Sequence, residues 1–162
     1  MALGSLRVTR TGRPGLLASP PWETKRATSS PSSEARTGGA PVPLSFGFHP
    51  WFRLPGVPRG DWDIELPDRD ELVLDERQLP TGATVRRPRE RSPLGERTFD
   101  DLFRPLAVPA RFALAGGGRR IVVEVGSGYR YAQVFAPPDA DVVCFEPMTA
   151  PVDALATGSD LR

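Results

Sequence analysis

The sequence has almost no cysteine and no long apolar run. Cys144 is its single cysteine, and a lone cysteine excludes an internal disulfide. No run approaches the roughly 20 apolar residues of a membrane helix, and the N-terminus lacks an apolar core of signal-peptide length. These absences are typical of proteins in a reducing compartment, so we expect a cytoplasmic chain with no membrane partner.

The sequence also lacks a strong excess of charge of either sign. Its net charge of +1 gives no global attraction to nucleic acid or to anionic lipid, and we expect no nucleic-acid partner. The charge is unevenly distributed, however. Residues 1–43 hold six Lys and Arg against two Asp and Glu, whereas residues 44–162 hold 15 against 18. The change from +4 to −3 predicts two regions with different roles.

Proline and glycine, in contrast, are abundant. The 162 residues include 19 Pro and 16 Gly, so about one residue in five interrupts helices. Proline removes a backbone donor and clashes inside a helix, which argues against long helices. The apolar content of 39% and the charged content of 25% are ordinary for a globular protein. We therefore expect short strands joined by many turns.

Residues 1–43 differ in texture from the rest of the chain. Pro, Gly and Ser occupy 17 of these 43 positions, and neither a strand period nor a helix period is visible. Such a segment cannot bury enough apolar surface to offset the entropy lost on ordering. We predict that residues 1–43 are a disordered or non-native N-terminal segment and that residues 44–162 form the folded domain.

From residue 44 onward, short apolar runs alternate with turn residues. Trp62, Ile64 and Leu66 alternate with acidic residues, which is typical of a half-buried strand. The pattern predicts strands at residues 44–48, 62–66, 71–74, 112–114, 119–125, 131–136 and 142–146. Residues 80–82 and 116–118 are predicted turns, and the charged residues 86–97 a surface loop. Strands about ten residues apart indicate an all-β, antiparallel sandwich or barrel.

The first motif with chemical potential is FGFHPWF at residues 46–52. It contains His49, the only histidine, at a strand end among four aromatic residues. Pro50 disfavours a helical conformation for His49 and keeps it extended. A fixed imidazole beside aromatic faces suits a sugar, whose C–H face stacks on rings while its hydroxyls need polar partners. The other interpretation is a histidine packed at a sheet edge, and these seven residues alone favour it.

The second motif is CFEPMTAP at residues 144–151. Strand alternation puts Glu146 on the same side as Val142 and Cys144. If Glu146 is buried there, desolvation raises its pKa toward the range of a general base. Pro147 holds Glu146 extended, as Pro50 does for the histidine. A glutamate that simply emerges into solvent where the strand ends fits the motif equally well.

Together and in this order, the two motifs resemble the aldose 1-epimerase (galactose mutarotase) family. The resemblance covers most of residues 44–162. It comprises FGFHPWF at 46–52, LPTG at 79–82, FDDLF at 99–103, YRYAQVFAP at 129–137 and VCFEPMTAPVDAL at 143–155. The family fold is a large antiparallel β-sandwich, and this chain corresponds to its C-terminal half. The resemblance therefore implies a truncated galactose mutarotase-like sandwich.

The resemblance also implies an isomerase that interconverts the α and β anomers of free aldoses such as galactose and glucose. It makes His49 the general acid and Glu146 the general base. It makes Asp100 a ligand of the sugar hydroxyls, with Asp101 in that role if the register is shifted by one. Trp51 either stacks on the sugar or packs as a core or rim aromatic. The reaction needs no metal, nucleotide or redox cofactor, so we expect none.

The chain departs from the family in its N-terminal half. That half supplies an Asn–Arg pair and a second histidine to the sugar site, and residues 1–43 contain no counterpart. We therefore expect weakened activity, with a homo-oligomer or a separate N-terminal half as partner. Three alternatives stay open: a non-catalytic carbohydrate-binding sandwich, an inactive fragment, and a hexose-6-phosphate epimerase, which needs a basic cluster at the pocket.

Overall fold

A computed structural model describes residues 5–12 and 43–161 of the chain. These two ranges contain eleven strands, a 3-10 turn at Arg59–Asp61 and one short helix, α1 (Ala154–Thr157). The strands form two sheets in which every pairing is antiparallel. Within the same two ranges, no helix has the length and apolar character that crossing a bilayer requires.

The two sheets divide the strands almost equally. Sheet A consists of β1 (Leu6–Gly12), β3 (Asp63–Leu66), β6 (Glu90–Pro93), β8 (Ala110–Gly116) and β9 (Arg119–Val125). Its order is β1-β9-β8-β3-β6. Sheet B consists of β2 (Trp51–Phe52), β4 (Arg69–Leu74), β5 (Pro80–Arg87), β7 (Phe99–Pro105), β10 (Tyr131–Ala136) and β11 (Val143–Met148). Its order is β2-β11-β10-β7-β4-β5.

Alternate residues of both sheets form one hydrophobic core between them. Phe112 of β8 and Phe145 of β11 are fully buried, and their ring centroids lie 5.5 Å apart. The same cluster includes Ile64 from sheet A and Val134 from sheet B. Because successive side chains of a strand point to opposite faces, the neighbours of these core residues in sheet B point away from sheet A. That outer face of sheet B carries the candidate site.

The structure confirms the predicted all-β antiparallel sandwich. The predicted strands at 62–66, 71–74, 112–114, 119–125, 131–136 and 142–146 correspond to β3, β4, β8, β9, β10 and β11. Trp62, Ile64 and Leu66 are at most 1% exposed, as their alternation predicted. Gly117 and Gly118 connect β8 to β9 with φ angles of 55° and 70°. Two adjacent positive φ angles are the requirement of a tight hairpin turn, which glycine meets without strain.

Three local predictions were wrong. Residues 44–48 form no strand beyond one bridge at Gly47, because the Thr149 side chain takes up the Phe46 N–H. The predicted turn at 80–82 begins β5 instead, since proline is tolerated at the first residue of an edge strand. The predicted loop 86–97 contains β6, a charged strand at the edge of sheet A. Charge is common on edge strands because it discourages further pairing.

The predicted N-terminal segment contains one strand that its composition did not indicate. Residues 6–12 are the edge strand β1, which pairs with the whole of β9 from Leu6↔Val125 to Gly12↔Arg119. Leu6 and Val8 are half-buried against the core, so the segment carries a short apolar face that the Ser, Pro and Gly content obscured. Residues 13–42 lie outside the described residues, and the division of the chain near residue 43 stays a prediction.

We expect Val8→Asp to lower the free energy of unfolding by about 1–3 kcal/mol, because it places a charge against the core. Thr11→Asp is the matched control, since Thr11 lies on the other face of β1 and is exposed. We expect the control to change stability by about 0.5 kcal/mol or less. Urea denaturation followed by fluorescence measures both values. Equal effects of the two substitutions would show that β1 is not docked as described.

Candidate active site

Backbone register brings the two predicted catalytic residues together at the edge of sheet B. Gly47, two residues before His49, forms a bridge with Met148. Trp51, two residues after His49, pairs with β11 in the same antiparallel register. This register places His49 opposite Glu146, although the two are 97 positions apart in the sequence. Residues opposite each other in an antiparallel pair point to the same face.

Hydrogen bonds hold the segment before His49 against the end of β11. The Phe46 N–H donates to the Thr149 hydroxyl at 3.0 Å, and the Thr149 N–H donates to the Phe46 carbonyl at 2.9 Å. The Phe48 N–H donates to the Pro147 carbonyl at 3.1 Å. Pro147 thus stays within the strand, and β11 continues to Met148 instead of ending at Glu146. The backbone is therefore hydrogen-bonded to the end of β11 before His49, at Phe46 and Phe48, and pairs with β11 again after it, at Trp51 and Phe52.

Gly47 is required for this close approach. A Cβ atom at position 47 would lie 2.8 Å from Cγ of Met148 and 2.9 Å from the Pro147 carbonyl oxygen. Separations under 3.0 Å force neighbouring atoms to shift, and the carbonyl oxygen cannot shift without moving the backbone of β11. A side chain at position 47 would therefore push the histidine segment away from β11.

His49 and Glu146 are in direct contact. Nε2 of His49 lies 3.1 Å from Oε1 of Glu146. The histidine side chain is 54% exposed, whereas the glutamate side chain is only 11% exposed. The contact has ion-pair distance but lacks hydrogen-bond alignment, and among the described residues the buried Oε1 has no hydrogen-bond donor. A buried polar atom without a donor is costly, so this oxygen is available to an incoming hydroxyl.

Aromatic rings surround the exposed side of this contact. The His49 and Trp51 rings are stacked, with centroids 5.0 Å apart and planes inclined by 25°. Phe135 of β10 meets both rings at an edge, at 6.5 Å from His49 and 5.9 Å from Trp51. Trp51 is 57% exposed. Its position on the outer face excludes a core role and leaves ring surface available for stacking.

Asp100, the predicted ligand of sugar hydroxyls, lies on the same face of sheet B. Phe135 pairs with both Asp100 and Cys144, so all three side chains share that face. Gln133 pairs with Glu146, and its Nε2 donates a hydrogen bond to Oδ1 of Asp100 at 2.8 Å. Gln133 thus lies opposite the predicted base and donates to the predicted sugar-binding carboxylate.

Asp101, the other candidate for that role, lies on the opposite face. Its cross-strand partner is Val134, a core residue, so its side chain points toward sheet A. Burial raises the pKa of Asp101, and the nearby carboxylates of Glu71 and Asp100 raise it further. The structure therefore brings Asp100 and not Asp101 to His49 and Glu146.

Glu146 has the electrostatic environment of a general base. Burial raises the pKa of Glu146 above that of an ordinary glutamate, the proximity of His49 opposes this shift, and the charge of Asp100 adds to it. A raised pKa brings a carboxylate closer to neutral pH, where it accepts a proton more effectively. The environment is consistent with the function assigned by resemblance.

Two hollows of the described residues are lined by neither His49 nor Glu146. The larger, about 410 Å³, opens on the opposite side of sheet B, where its charged groups pair with one another, including Arg69 with Glu90 and Arg87 with Glu71. The smaller, about 270 Å³, is lined by Tyr131 of β10. Tyr131 is two residues from Gln133 on the same face, so only the smaller hollow lies beside the candidate site.

Sequence reasoning missed Gln133 and Phe135. Both belong to the YRYAQVFAP motif, and their spacing of two places them on one face of a strand. Nothing in the sequence states which residues of β11 and β7 they oppose, so their proximity to Glu146 and Asp100 was not predictable. Cys144 lies on the face of Glu146, as strand alternation predicted, and His49, Cys144 and Glu146 each offer a ligand atom within 4.8 Å of the other two.

Comparison with known proteins gives similarity at the level of structure. No family model and no curated protein matches the sequence. A galactose mutarotase-like protein from Clostridium acetobutylicum aligns with a TM-score of 0.58 and 20% identity, over 75% of this chain and 43% of that one. A Synechocystis sp. PCC 6803 protein aligns with a TM-score of 0.56 and 25% identity, over 75% of this chain and 39% of that one. An Escherichia coli K12 protein with a provisional aldose 1-epimerase name aligns with a TM-score of 0.55 and 19% identity, over 75% of this chain and 45% of that one.

These similarities confirm, at the level of the fold, the resemblance noted in the sequence. The chain spans less than half the length of each of the three structures. We conclude that its described residues have the galactose mutarotase-like β-sandwich fold.

Proposed function

We propose that this chain catalyses the interconversion of the α and β anomers of a free aldose, such as galactose or glucose. The observation that carries the proposal is the contact between His49 and Glu146, two titratable residues brought together from distant parts of the sequence on the outer face of sheet B. Similarity to galactose mutarotase-like and aldose 1-epimerase-like structures supports the same reaction class.

The reaction explains why the two groups must lie close together. Glu146 takes the proton of the anomeric hydroxyl while His49 donates a proton to the ring oxygen, and the ring opens to the aldehyde. Rotation about one bond and reclosure give the other anomer. Both oxygens are bonded to the same carbon, so an acid and a base acting on them must be neighbours. The imidazole is the more exposed of the two side chains, so it is the one that can rotate to admit the sugar.

The surrounding residues suit the rest of a pyranose. Trp51 presents exposed ring surface to the C–H face of the sugar. Asp100, held by Gln133, accepts hydrogen bonds from sugar hydroxyls. Because the site lies beside β2, the two-residue edge strand of sheet B, further polypeptide has room to complete it. We propose that a second copy of the chain or a separate N-terminal half does so.

At the smaller hollow, the surroundings of Arg104 favour a neutral sugar over a sugar phosphate. Arg104 lines the smaller hollow, and its guanidinium lies 2.9 Å from the Asp70 carboxylate. Arg86 also contacts Asp70, at 3.0 Å. A phosphate bound to Arg104 would have to compete with this carboxylate and would be repelled by it. A free aldose has no such conflict.

We expect Glu146→Gln to reduce mutarotation by about 10²–10⁴-fold, the usual contribution of a general base. The amide keeps the shape of the side chain but cannot accept the proton. Polarimetry of freshly dissolved α-glucose and α-galactose gives the rate. Glu124→Gln is the matched control, since Glu124 forms an ion pair with Arg111 on sheet A. If the wild-type protein melts cooperatively yet gives the rate of the buffer alone, the proposal is wrong.

We expect Gly47→Ala to lower kcat by about 100-fold without altering either titratable side chain. The added methyl displaces the backbone that holds His49 against β11, and a misplacement of about 1 Å costs this much in well-positioned sites. Gly60→Ala is the control, because a Cβ atom there meets nothing within 4 Å. Thermal melting verifies that both variants are folded. Unchanged kcat in Gly47→Ala would argue that histidine placement does not matter.

The pH profile provides a separate test of the base. Activity requires an ionised Glu146, so kcat/KM falls as pH drops through its raised pKa. Asp100→Asn removes a charge that raises the Glu146 pKa, so we expect the acid limb to move to lower pH and KM to rise. Asp101→Asn, on the other face of the same strand, should leave the limb in place. Equal shifts in the two variants would contradict the assignment.

A further inference from the structure

His49, Cys144 and Glu146 form a cluster of three different metal-ligating groups. Each contributes one ligand atom, and the three atoms lie within 4.8 Å of one another. Cys144 and Glu146 are alternate residues of β11 and therefore share its outer face, and His49 reaches them from the neighbouring segment. The cluster includes the only cysteine and the only histidine of the chain.

The cluster contains a buried carboxylate oxygen that lacks a hydrogen-bond donor within the described ranges. Oε1 of Glu146 has no hydrogen-bond donor among the described residues, and Glu146 is 8% exposed. Cys144 has no exposed surface at all, since its cross-strand neighbours Trp51 and Phe135 flank it on the same face. A cation bound here would give this carboxylate oxygen a further partner, with buried ligands on one side and the exposed His49 on the other.

We propose that these three side chains bind a zinc ion, which thereby occupies the acid and base of the proposed mutarotation site and inhibits it. Thiolate, imidazole and carboxylate are the ligands that zinc takes in proteins, commonly as three side chains with a fourth position for water. Magnesium prefers oxygen ligands in an octahedral arrangement, which this cluster does not offer. The metal-binding half of the proposal stands independently of the mutarotase reaction.

The charges of the complex balance. The Cys144 thiol is buried, and burial favours its protonated, neutral form. Zinc displaces that proton, which passes to solvent, and binds the resulting thiolate. A thiolate, a carboxylate and a neutral imidazole around a dication have zero net charge. Neutrality lets the set remain buried without an unpaired charge.

The geometry needs only a small adjustment. Zinc–ligand bonds of about 2.0–2.3 Å in a tetrahedron put the ligand atoms roughly 3.5 Å apart. In the structure the three ligand atoms lie within 4.8 Å of one another. Nε2 of His49 and Oε1 of Glu146 already lie 3.1 Å apart. Closing the site therefore means shortening the separations from the Cys144 sulfur by side-chain rotation, while β11 holds the backbone of Cys144 and Glu146 in place.

Metal titration of the purified full chain tests this. We expect calorimetry to show saturable binding of one zinc ion per chain and no heat with magnesium. Cobalt, used as a spectroscopic substitute, should give a thiolate-to-metal charge-transfer absorption in the near ultraviolet. Cys144→Ala should abolish that absorption and weaken zinc binding at least tenfold, since even outer partners of metal ligands contribute that much. Glu124→Gln, on sheet A, should bind zinc as the wild type does.

The outcomes separate the two proposals. Zinc binding that is lost in Cys144→Ala, together with zinc inhibition reversed by a chelator, supports both. The same binding in a protein with no mutarotation at all supports the metal site and rejects the enzyme. No saturable zinc binding, or equal binding by wild type and Cys144→Ala, rejects the metal site. If thermal melting shows Cys144→Ala to be unfolded, Glu146→Gln replaces it, with the same loss of zinc binding expected.

Discussion

The antiparallel register between residues 46–52 and β11 is the constraint on which the candidate site depends. It is fixed by the bridge at Gly47 and by the pairing of β2, with hydrogen bonds from Phe46 and Phe48. Because side chains alternate along a strand, a shift of one residue would send one of the two titratable side chains to the other face. The absence of a side chain at position 47 permits this register, since a Cβ atom there would collide with β11.

A single strand serves both the core and the site. Val143 and Phe145 of β11 are fully buried between the sheets, and Phe145 packs on Phe112 of sheet A. Cys144 and Glu146, on the alternate positions, face outward toward His49. The packing of the core therefore holds the site side chains, since a strand anchored on one face cannot rotate to move the other. Rigid placement of a base is what proton transfer at a fixed carbon requires.

The sequence predicted the elements better than their partners. Alternation at Trp62–Leu66 and the glycines at 116–118 are local signals, and the structure has the corresponding strand and hairpin. It also places Glu146 on the face of Cys144, as alternation predicted. Which strands lie side by side is a non-local property, so neither the contact of Gln133 with Asp100 nor the pairing of β1 with β9 could be read from the chain. Resemblance to a family, not periodicity, linked His49 to Glu146.

The properties that suit Glu146 to chemistry are unfavourable for stability. Its buried oxygen lacks a hydrogen-bond donor, and the nearby charge of Asp100 adds repulsion. A protein shaped by stability alone would place an apolar residue at this outward position, because a buried charge without a full set of partners is destabilising. Functional sites are where such costs persist. Both proposals place their ligand on this oxygen: in the first a sugar hydroxyl donates a hydrogen bond to Oε1, and in the second a zinc ion coordinates it. The two ligands would compete because the proposed zinc ion also binds the imidazole of His49, the proposed acid.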